Sequence, residues 1–398
     1  METKINEVLI RSIDRIYPSK EALKTLLLSG KKLRIYMGID PTANYAHLGH
    51  STNYIILKRF HELGHKIIVL IGDFTAMIGD PSDKSAARKR LTKEEVKENL
   101  KSFKQQIGII LDFENKENPI DFKFNSEWLS KLNFEDLIDL SSKFTVQQMI
   151  ERDIFQKRLK DNKPLFVHEF FYPLMQGYDS VALKADVEVG GTDQTFNMLA
   201  GRTLVKAYQN REKYVITTTL LENSVTGEKL MSKSLGTGIG LNETAENMYG
   251  KVMALPDEAI IQCFIDCTYL SMKEISRIED KLSKGANPRD EKARLAFEIV
   301  KIYHGEKKAK QAEENFNKLF RDKEIPTEMP RVKMSGSFDP ATLLVNLKAV
   351  HSKSHARRLV EQGGVKVDGA KITDPEALVS THKGMVIQVG KRGFWKII

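Results

Sequence analysis

Two histidines separated by Leu-Gly are the residues of this chain whose types and spacing most directly suggest chemistry. His47 and His50 can each donate a hydrogen bond to an oxyanion without carrying a fixed full charge. Gly49 between them lets a ligand approach the backbone closely. This set fits the binding of phosphate groups. The spacing also fits a metal site or chance, although no carboxylate or cysteine at ligand spacing completes a metal site nearby.

A glycine-rich stretch over residues 226–240 carries a second candidate group, Lys233. A lysine on such a loop can reach a phosphate as negative charge builds in a transition state. Lys84 and Arg88, in an earlier basic segment, could fold over phosphates in the same way, although both segments are also typical of solvated surface. The residues around the loop lysine are Met231, Ser232 and Ser234.

The elements around the histidines predict a site at one edge of a parallel sheet. Residues 33–37 and 66–71 form apolar runs typical of buried strands, and residues 54–63 have helical apolar spacing between them. Strand, helix and strand in this order form a βαβ unit. His47 and His50 therefore fall between the carboxyl end of a strand and a helix N-terminus, where open sheets bind ligands and helices bind phosphate.

A later segment, residues 169–179, places three polar side chains on one face of a predicted helix. Tyr172, Gln176 and Asp179 stand at positions i, i+4 and i+7, among residues that are otherwise apolar. Burying such groups is costly unless they have hydrogen-bond partners. Either internal hydrogen bonds or a polar ligand would supply them.

Two aspartates follow glycine-containing turns at strand ends. Asp80 comes after the 66–71 strand and is a candidate to hold an ammonium group, although a turn-forming Asp before Pro is the more common role. Asp193 follows a second predicted strand, residues 185–189, and precedes a helix that begins at residue 195. It could accept hydrogen bonds from ribose hydroxyls, and an isolated Gly-Gly turn there would be ordinary scaffold.

Periodicity predicts the remaining elements. Residues 1–30 are expected to be helical, and residues 92–110 to form one helix that opens with a capping box. Residues 111–166 are irregular and charged and are not expected to extend the parallel sheet. Residues 214–221 predict another strand, and residues 242–321 predict helices without strands.

Composition limits the class of protein. The chain has 398 residues, of which 41% are hydrophobic and 29% charged, so it fits a soluble protein of two or three domains. No apolar run has the length of a membrane span, and two cysteines point to reduced thiols, so we expect a cytoplasmic location. The net charge of +9 suggests a polyanionic partner.

The C-terminal residues 338–398 form a separate basic unit, with ten Lys and Arg against five Asp and Glu, or +5 of the total charge. Two short helices are predicted, the second running from His355 to Gln362 with Ser354 as its N-cap. Hairpin and strand signals follow. The pattern resembles the alpha-L RNA-binding fold of a small-subunit ribosomal protein. Its expected phosphate contacts are Lys353, His355, Arg357, Arg358 and Lys366.

Both chemical clusters resemble known signatures. The sequence from His47 to His50 resembles the HIGH signature, and residues 231–234 resemble the KMSKS signature, of class I aminoacyl-tRNA synthetases. The pair is specific, although neither is so alone. Within this class the whole chain resembles the bacterial tyrosyl enzymes that carry a Met-Ser-Lys-Ser loop. The matching segments are residues 36–43, 79–82, 172–179 and 190–194.

The resemblance implies an α/β fold in four parts. A Rossmann-like parallel-sheet catalytic domain would span residues 1–240, with an insertion and dimer region at about 111–190. An all-helical anticodon-recognition domain would span 241–325. A linker over 326–337 would lead to a small α+β RNA-binding domain over 338–398. A homodimer is likewise implied by the family.

The resemblance also implies a role for each site residue. Tyr36 and Asp179 would contact the phenol of L-tyrosine, and Asp80, Tyr172 and Gln176 its α-ammonium group. His47, His50 and Lys233, with Lys84 and Arg88, would be catalytic. ATP would be a substrate and imply Mg²⁺, without any protein metal site. The ATP and adenylate contacts would be Gly38, Asp40, His47, Gly49, His50, Asp193, Gln194, Met231, Ser232, Lys233 and Ser234.

One departure and two alternatives remain open on the sequence alone. Leu230 stands where the family signature begins with lysine, and Lys229 lies one residue earlier. The tryptophanyl enzymes share the fold, but indole has no hydroxyl for the Tyr36 and Asp179 pair. An RNA-binding paralogue without catalysis is opposed by the near-complete set of site residues.

Overall fold

The structure is a computed structural model that describes residues 2–42, 46–81, 91–222, 230, 238–320, 329–350, 352–390 and 393–398. The chain divides into two compact units, Met1–Ala309 and Lys310–Ile398. The predicted domain boundaries at residues 240, 325 and 337 stay predictions.

A six-stranded sheet forms the centre of the first unit. Its strands in space run β1-β6-β5-β2-β3-β4. All neighbouring pairs are parallel except β1 with β6. The apolar runs of β2 and β3 are buried on both faces, as parallel strands between helices require. The strands are β1 (Ile13–Tyr17), β2 (Arg34–Ile39), β3 (Lys66–Ile71), β4 (Asp121–Phe124), β5 (Val187–Gly191) and β6 (Tyr214–Thr218).

Helices connect these strands and continue beyond the sheet. Up to β6 they are α1 (Glu2–Val8), α2 (Lys20–Leu28), α3 (Leu48–Glu62), α4 (Thr75–Ile78), α5 (Lys93–Leu100), α6 (Phe103–Gly108), α7 (Ser126–Leu129), α8 (Phe134–Ser141), α9 (Val146–Ile150), α10 (Asp153–Lys160), α11 (Val167–Ala182) and α12 (Thr195–Gln209). After it come α13 (Ala245–Met253), α14 (Ile260–Cys267), α15 (Met272–Ser283), α16 (Pro288–His304) and α17 (Glu306–Phe320), which confirms the helical prediction for that region.

The expectation of helix throughout residues 1–30 is wrong for β1. Ser12 has a left-handed φ of 62°, which ends the helical run before the strand. Ile16 then lies opposite Ile216 of β6 and is buried. Isoleucine suits a strand, and β1 covers what would otherwise be an open edge of the sheet.

The expectation that residues 111–166 leave the parallel sheet unextended is wrong for β4. This strand pairs with β3 in parallel, with Phe124 opposite Ile71. All four of its residues are only half-buried, because it is an edge strand. It therefore lacks the continuous apolar run that marks a central strand in sequence.

The helix expected over residues 92–110 is two helices, α5 and α6, that are separated at Lys101 and Ser102. Its capping box is confirmed. Thr92 Oγ1 accepts from Glu95 N at 3.1 Å, and Glu95 Oε2 accepts from Thr92 N at 2.8 Å. Helical periodicity carried across the break because both helices bury the same side.

The second unit contains two helices over a small sheet, as expected. Its helices are α18 (Pro340–Asn346) and α19 (Lys353–Glu361), and its strands are β7 (Arg331–Val332), β8 (Gly336–Phe338), β9 (Val365–Val367), β10 (Ala370–Ile372), β11 (Val379–Thr381), β12 (Val386–Val389) and β13 (Gly393–Ile397). The sheet order is β10-β9-β12-β13-β7, and β11 pairs with β8. Leu343, Leu344 and Val360 from the helices share one core with Ile387 and Ile397.

Two local predictions for this unit have different outcomes. The expected N-cap, Ser354, is wrong, because Ser352 caps α19 by accepting from His355 N at 3.3 Å. The hairpin turn is confirmed, because Asp368 and Gly369 have φ values of 47° and 85° between β9 and β10. None of the helices in the described ranges is long and apolar enough to cross a bilayer.

Candidate active site

The two signature histidines lie where β2 passes into α3. His47 is the N-cap residue of α3, and His50 lies in the first helical turn. The backbone N–H of His47 donates to His50 Nδ1 at 3.1 Å, and the two ring centroids are 3.9 Å apart. Because Nδ1 accepts, a neutral His50 carries its proton on Nε2. The predicted strand, loop and helix are confirmed, and they present a ring N–H donor at a helix N-terminus.

The described residues after the second signature return to the histidine loop. Leu48 N donates to Ile239 O at 3.0 Å, and Leu241 N donates to Ala46 O at 2.8 Å. His47 forms an isolated antiparallel bridge with Gly240. The chain that follows the glycine-rich stretch is thus fixed to the phosphate-site candidate.

Several predicted site residues lie outside the described residues, and their roles stay predictions. They are Lys84, Arg88, Met231, Ser232, Lys233 and Ser234, together with Lys229, the candidate replacement for the signature's first lysine.

Helix α11 crosses the carboxyl ends of the strands and carries the predicted polar face. Tyr172 donates from its hydroxyl to Asp40 Oδ2 at 2.8 Å, and Thr75 Oγ1 donates to Asp40 Oδ1 at 2.7 Å. A Cβ atom at Gly72 would lie 2.0 Å from Asp40 Oδ1, so glycine is required there. Asp40 is thereby held in one orientation at the end of β2.

Asp179, one turn before the end of α11, is buried and receives two donors. Trp128 Nε1 donates to its Oδ1 at 2.7 Å, and Asn125 Nδ2 donates to its Oδ2 at 3.3 Å. Burial raises the pKa of Asp179 well above its usual range, although both hydrogen bonds oppose the shift. Asn125 also donates to Thr75 Oγ1 at 3.0 Å, which links this carboxyl to the group around Asp40.

Tyr36 and Gln176 meet a second buried carboxyl. Tyr36 is fully buried, and its hydroxyl lies 2.7 Å from Ser180 Oγ. Gln176 Nε2 donates to Glu188 Oε1 at 3.1 Å, and Ser180 Oγ donates to Glu188 Oε2 at 3.4 Å. Burial, and next the negative charge of Glu188, raise the pKa of Tyr36 well above its usual value, so its hydroxyl stays protonated.

The end of β5 brings Asp80 and Gln194 together. Gln194 Nε2 donates to Asp80 Oδ2 at 2.7 Å and lies 3.5 Å from Asp193 Oδ2. Asn197 Nδ2 donates in turn to Gln194 Oε1 at 3.1 Å. At the neighbouring strand β2, a Cβ atom at Gly38 would meet no atom within 4 Å, so this strand borders open space.

The structure thus brings most of the predicted small-molecule residues to one region. Asp40, Asp80 and Asp193 lie at or just after the ends of three adjacent or neighbouring strands, β2, β3 and β5, and α11 adds Tyr172 and Gln176. The RNA-binding candidates lie in the second unit, on α19 and β9. All of them are exposed, and one makes an ion pair, between Arg357 and Glu376, at 3.3 Å.

Comparisons with known proteins identify the family. The profile of class I tRNA synthetases for tryptophan and tyrosine matches residues 28–321, and the S4 domain profile matches residues 341–387. The tyrosine–tRNA ligase of Carboxydothermus hydrogenoformans is 46% identical over 98% of this chain and 97% of its own length. That of Thermotoga maritima is 45% identical over 98% and 96%. The chain belongs to the tyrosine–tRNA ligase family.

Solved structures agree on the fold. The C-terminally truncated mitochondrial tyrosyl-tRNA synthetase of Aspergillus nidulans superposes with a TM-score of 0.69 and 24% identity, covering 80% of this chain and 94% of that one. The resemblance drawn from the sequence, its fold class and the assignment as a tyrosine–tRNA ligase are therefore confirmed. The tryptophanyl enzyme and the inactive paralogue find no support.

Sequence reasoning missed several residues that shape the site of this ligase. Asn125, Trp128, Ser180, Glu188 and Lys213 are buried in or next to the polar clusters around α11. Ser180 follows the predicted face by one residue, so helical periodicity could have raised it. A charged residue inside the apolar β5 was the available signal for Glu188.

Proposed function

We propose that the chain activates L-tyrosine with ATP and transfers the tyrosyl group to the 3′ end of tRNA(Tyr). The observation that carries this proposal is the surroundings of α11. Its three polar residues bond to buried groups from three separate segments: Asp40 after β2, Glu188 in β5, and Asn125 with Trp128 beyond β4. A polar pocket set into an apolar core fits an amino acid with polar groups at both ends.

Tyrosine binding would use both ends of this pocket. Tyr36 and Asp179, buried side chains from β2 and α11, would hydrogen-bond the phenol. Asp80, Tyr172 and Gln176 would bind the α-ammonium group, for which a carboxylate supplies charge and an amide oxygen an acceptor. A buried pair that must bond a hydroxyl leaves itself unpaired with phenylalanine, which penalises that amino acid.

In the first step a carboxylate oxygen of tyrosine attacks the α-phosphate of ATP. A bond forms between this oxygen and phosphorus, and the bond to the bridging oxygen breaks, releasing pyrophosphate. No protein nucleophile is needed, so positioning and charge stabilisation carry the rate. The His50 ring N–H at the start of α3 would contact the phosphates, Lys233, with Lys84 and Arg88, the departing pyrophosphate, and Asp40, Asp193 and Gln194 the remaining adenylate.

In the second step a ribose hydroxyl of the tRNA end attacks the carbonyl of the adenylate, and AMP leaves. Binding of the tRNA would involve Lys353, His355, Arg357, Arg358 and Lys366, whose exposed positions on one helix and one strand suit phosphates. We expect Mg²⁺ to arrive with ATP, and a cytoplasmic location. Within the described ranges, no group of three or more His, Cys, Asp or Glu side chains is arranged to hold a metal.

We also propose a homodimer through α8, α9 and α11. Phe134, Val146 and Val167 are 77%, 67% and 71% exposed, although all three are large and apolar. Beside them Phe144, Met149 and other side chains line an apolar cavity of about 280 Å³. An exposed apolar surface of this kind marks an interaction site. Because α11 also carries the tyrosine-binding residues, a second copy would support the pocket from outside.

Light scattering after size-exclusion chromatography tests the dimer. We expect Val167→Glu to halve the mass, because it puts a charge into the interface. Leu378→Glu, at a 75% exposed leucine of the second unit, is the matched control and should leave the mass unchanged. A wild-type monomer would contradict the proposal.

Amino-acid-dependent ATP–pyrophosphate exchange tests the first step. Tyrosine should support exchange, and tryptophan and phenylalanine should not. Asp80→Asn should raise the KM for tyrosine at least about tenfold, since an ionic hydrogen bond is worth roughly 1.5–3 kcal/mol. Asp121→Asn, on an exposed edge-strand carboxylate, should not change it. Exchange with tryptophan, or none with tyrosine, would refute the pocket assignment.

A further inference from the structure

Behind the proposed tyrosine pocket lies an ion pair that the two-step reaction does not use directly. Lys213, the residue before β6, pairs with Glu188 of β5, and both side chains are fully buried. Lys213 Nζ also donates to Met198 O at 3.0 Å and lies 5.8 Å from the ring centroid of Tyr36. A buried pair of this kind seldom adds stability over apolar residues, so it invites a functional explanation.

The fold leaves room for this pair at one glycine. A Cβ atom at Gly201 of α12 would lie 2.5 Å from Lys213 Nζ and 2.6 Å from Ser180 Oγ. Real Cβ atoms do not approach other atoms so closely, so a side chain at this position would displace the lysine or the serine. The absence of a side chain on α12 is thus part of how the pair is accommodated.

The hydrogen bonds of Glu188 point from this pair to the substrate. An ionised carboxylate only accepts, whereas an amide has a donor end and an acceptor end. Glu188 accepts from Gln176 Nε2 and from Ser180 Oγ. As long as Glu188 stays ionised, Gln176 must point its NH₂ group inward, and its carbonyl oxygen Oε1 is left for another partner.

We propose that Lys213 and Glu188 are positioning residues for the substrate's ammonium group. Lys213 keeps Glu188 ionised, Glu188 fixes the NH₂ end of Gln176, and the Oε1 end of Gln176 thereby faces the ammonium. This inference rests on the proposed tyrosine pocket and adds two residues that do not touch the substrate. Without the lysine, an isolated buried carboxylate takes up a proton, becomes able to donate, and no longer fixes the amide.

Ligands that differ only at the α-carbon test this chain of contacts. We would measure the Kd of tyrosine, tyramine and 3-(4-hydroxyphenyl)propionate by calorimetry for wild type and Lys213→Met. The first two ligands carry the ammonium group, and the third lacks it. We expect about tenfold or greater weakening for the first two, as for loss of a hydrogen bond to a charged group. The third should change less than about twofold, because it makes no contact with Gln176 Oε1.

Three controls separate the outcomes. Lys66→Met removes an exposed lysine that also starts a strand and pairs with a neighbouring carboxylate, Asp121. It should leave all three constants unchanged. Equal weakening of all three ligands by Lys213→Met would reveal a merely structural role and overturn the proposal. Failure of wild type to bind tyrosine would instead refute the proposed function.

A double variant serves if Lys213→Met does not fold. Lys213→Met with Glu188→Gln leaves no buried charge, so it should fold. The amide that replaces the carboxylate of Glu188 can donate or accept, so Gln176 loses its fixed orientation. We expect tyrosine to bind at least about threefold more weakly than to wild type, with the ammonium-free ligand unchanged. A wild-type ratio between the two ligands would overturn the proposal.

Discussion

Replacing Arg158 by methionine should destabilise the first unit strongly. Arg158 of α10 lies fully buried and donates to both carboxylate oxygens of Glu169, at 2.6 and 3.0 Å, and to Pro164 O. Glu169 also accepts from Phe166 N at 2.8 Å, which caps the start of α11. The substitution leaves this buried carboxylate without its cation.

The size of the effect follows from the burial of both groups. Breaking a buried pair by removing one partner costs about 3–5 kcal/mol of unfolding free energy. For a unit of 309 residues the unfolding entropy is roughly 0.65 kcal/mol/K, so Tm should fall by about 5–8 °C. Adding Glu169→Gln, which keeps an acceptor for Phe166 N, should restore most of the loss, because no lone charge remains.

The penalty should depend on pH in a defined direction. Burial alone would raise the pKa of Glu169, but hydrogen bonds from Arg158 and Phe166 N outweigh it and lower the pKa. A lowered pKa in the folded state contributes stability above the unfolded value of about 4.3 and loses it as pH falls through the folded value. The difference between wild type and Arg158→Met should therefore be full at pH 7 and shrink below about pH 4.

Thermal unfolding followed by circular dichroism measures these differences. Arg202→Met is the matched control, because Arg202 makes an equally short bidentate pair with Glu212 but at a partly exposed site. It should cost less than about 1 kcal/mol, as surface pairs do. Equal losses of Tm in the two variants would refute the assignment of Arg158 as the cation that Glu169 requires.

Three further predictions concern the site and the tail. Gly201→Ala should raise the KM for tyrosine and leave that for ATP unchanged, because its Cβ would displace Lys213 or Ser180; equal changes in both would contradict this. Lys233→Ala should lower the rate of adenylate formation at least about tenfold in single-turnover assays and leave tyrosine Kd within about threefold, if the lysine meets charge only in the transition state. Lys353→Ala with Arg358→Ala should weaken tRNA binding, with a salt dependence reduced by about one to two units of slope, and leave tyrosine-dependent exchange unchanged.

The parts of the fold that the sequence predicted are those with strong periodic signals. β2, α3 and β3 have unbroken apolar runs or helical spacing over six or more residues, and all three form where expected. β1 and β4 were missed because each is an edge strand of four or five residues, partly exposed, so that tertiary pairing decides its conformation.

The candidate site divides in the same way. Tyr172, Gln176 and Asp179 stood out because three polar groups interrupt an apolar helical face. Their partners did not stand out, because Trp128 and Asn125 come from a short segment after the edge strand β4, more than 50 positions from Asp179. A contact between segments so far apart in the chain follows from the order of strands in the sheet, which local pattern cannot supply.

Lys213 and Glu188 show why the deepest layer of such a site is hidden from sequence. A lysine before a strand and a glutamate within one are each common as exposed residues, and only burial makes them costly. Their pairing depends on β5 and β6 being neighbours and on a helix that lacks a side chain at Gly201. Three ordinary residues thus become one device for orienting Gln176 only after the sheet has formed. In this fold, the residues that contact a ligand interrupt local patterns, whereas those that orient them are recognised by their burial.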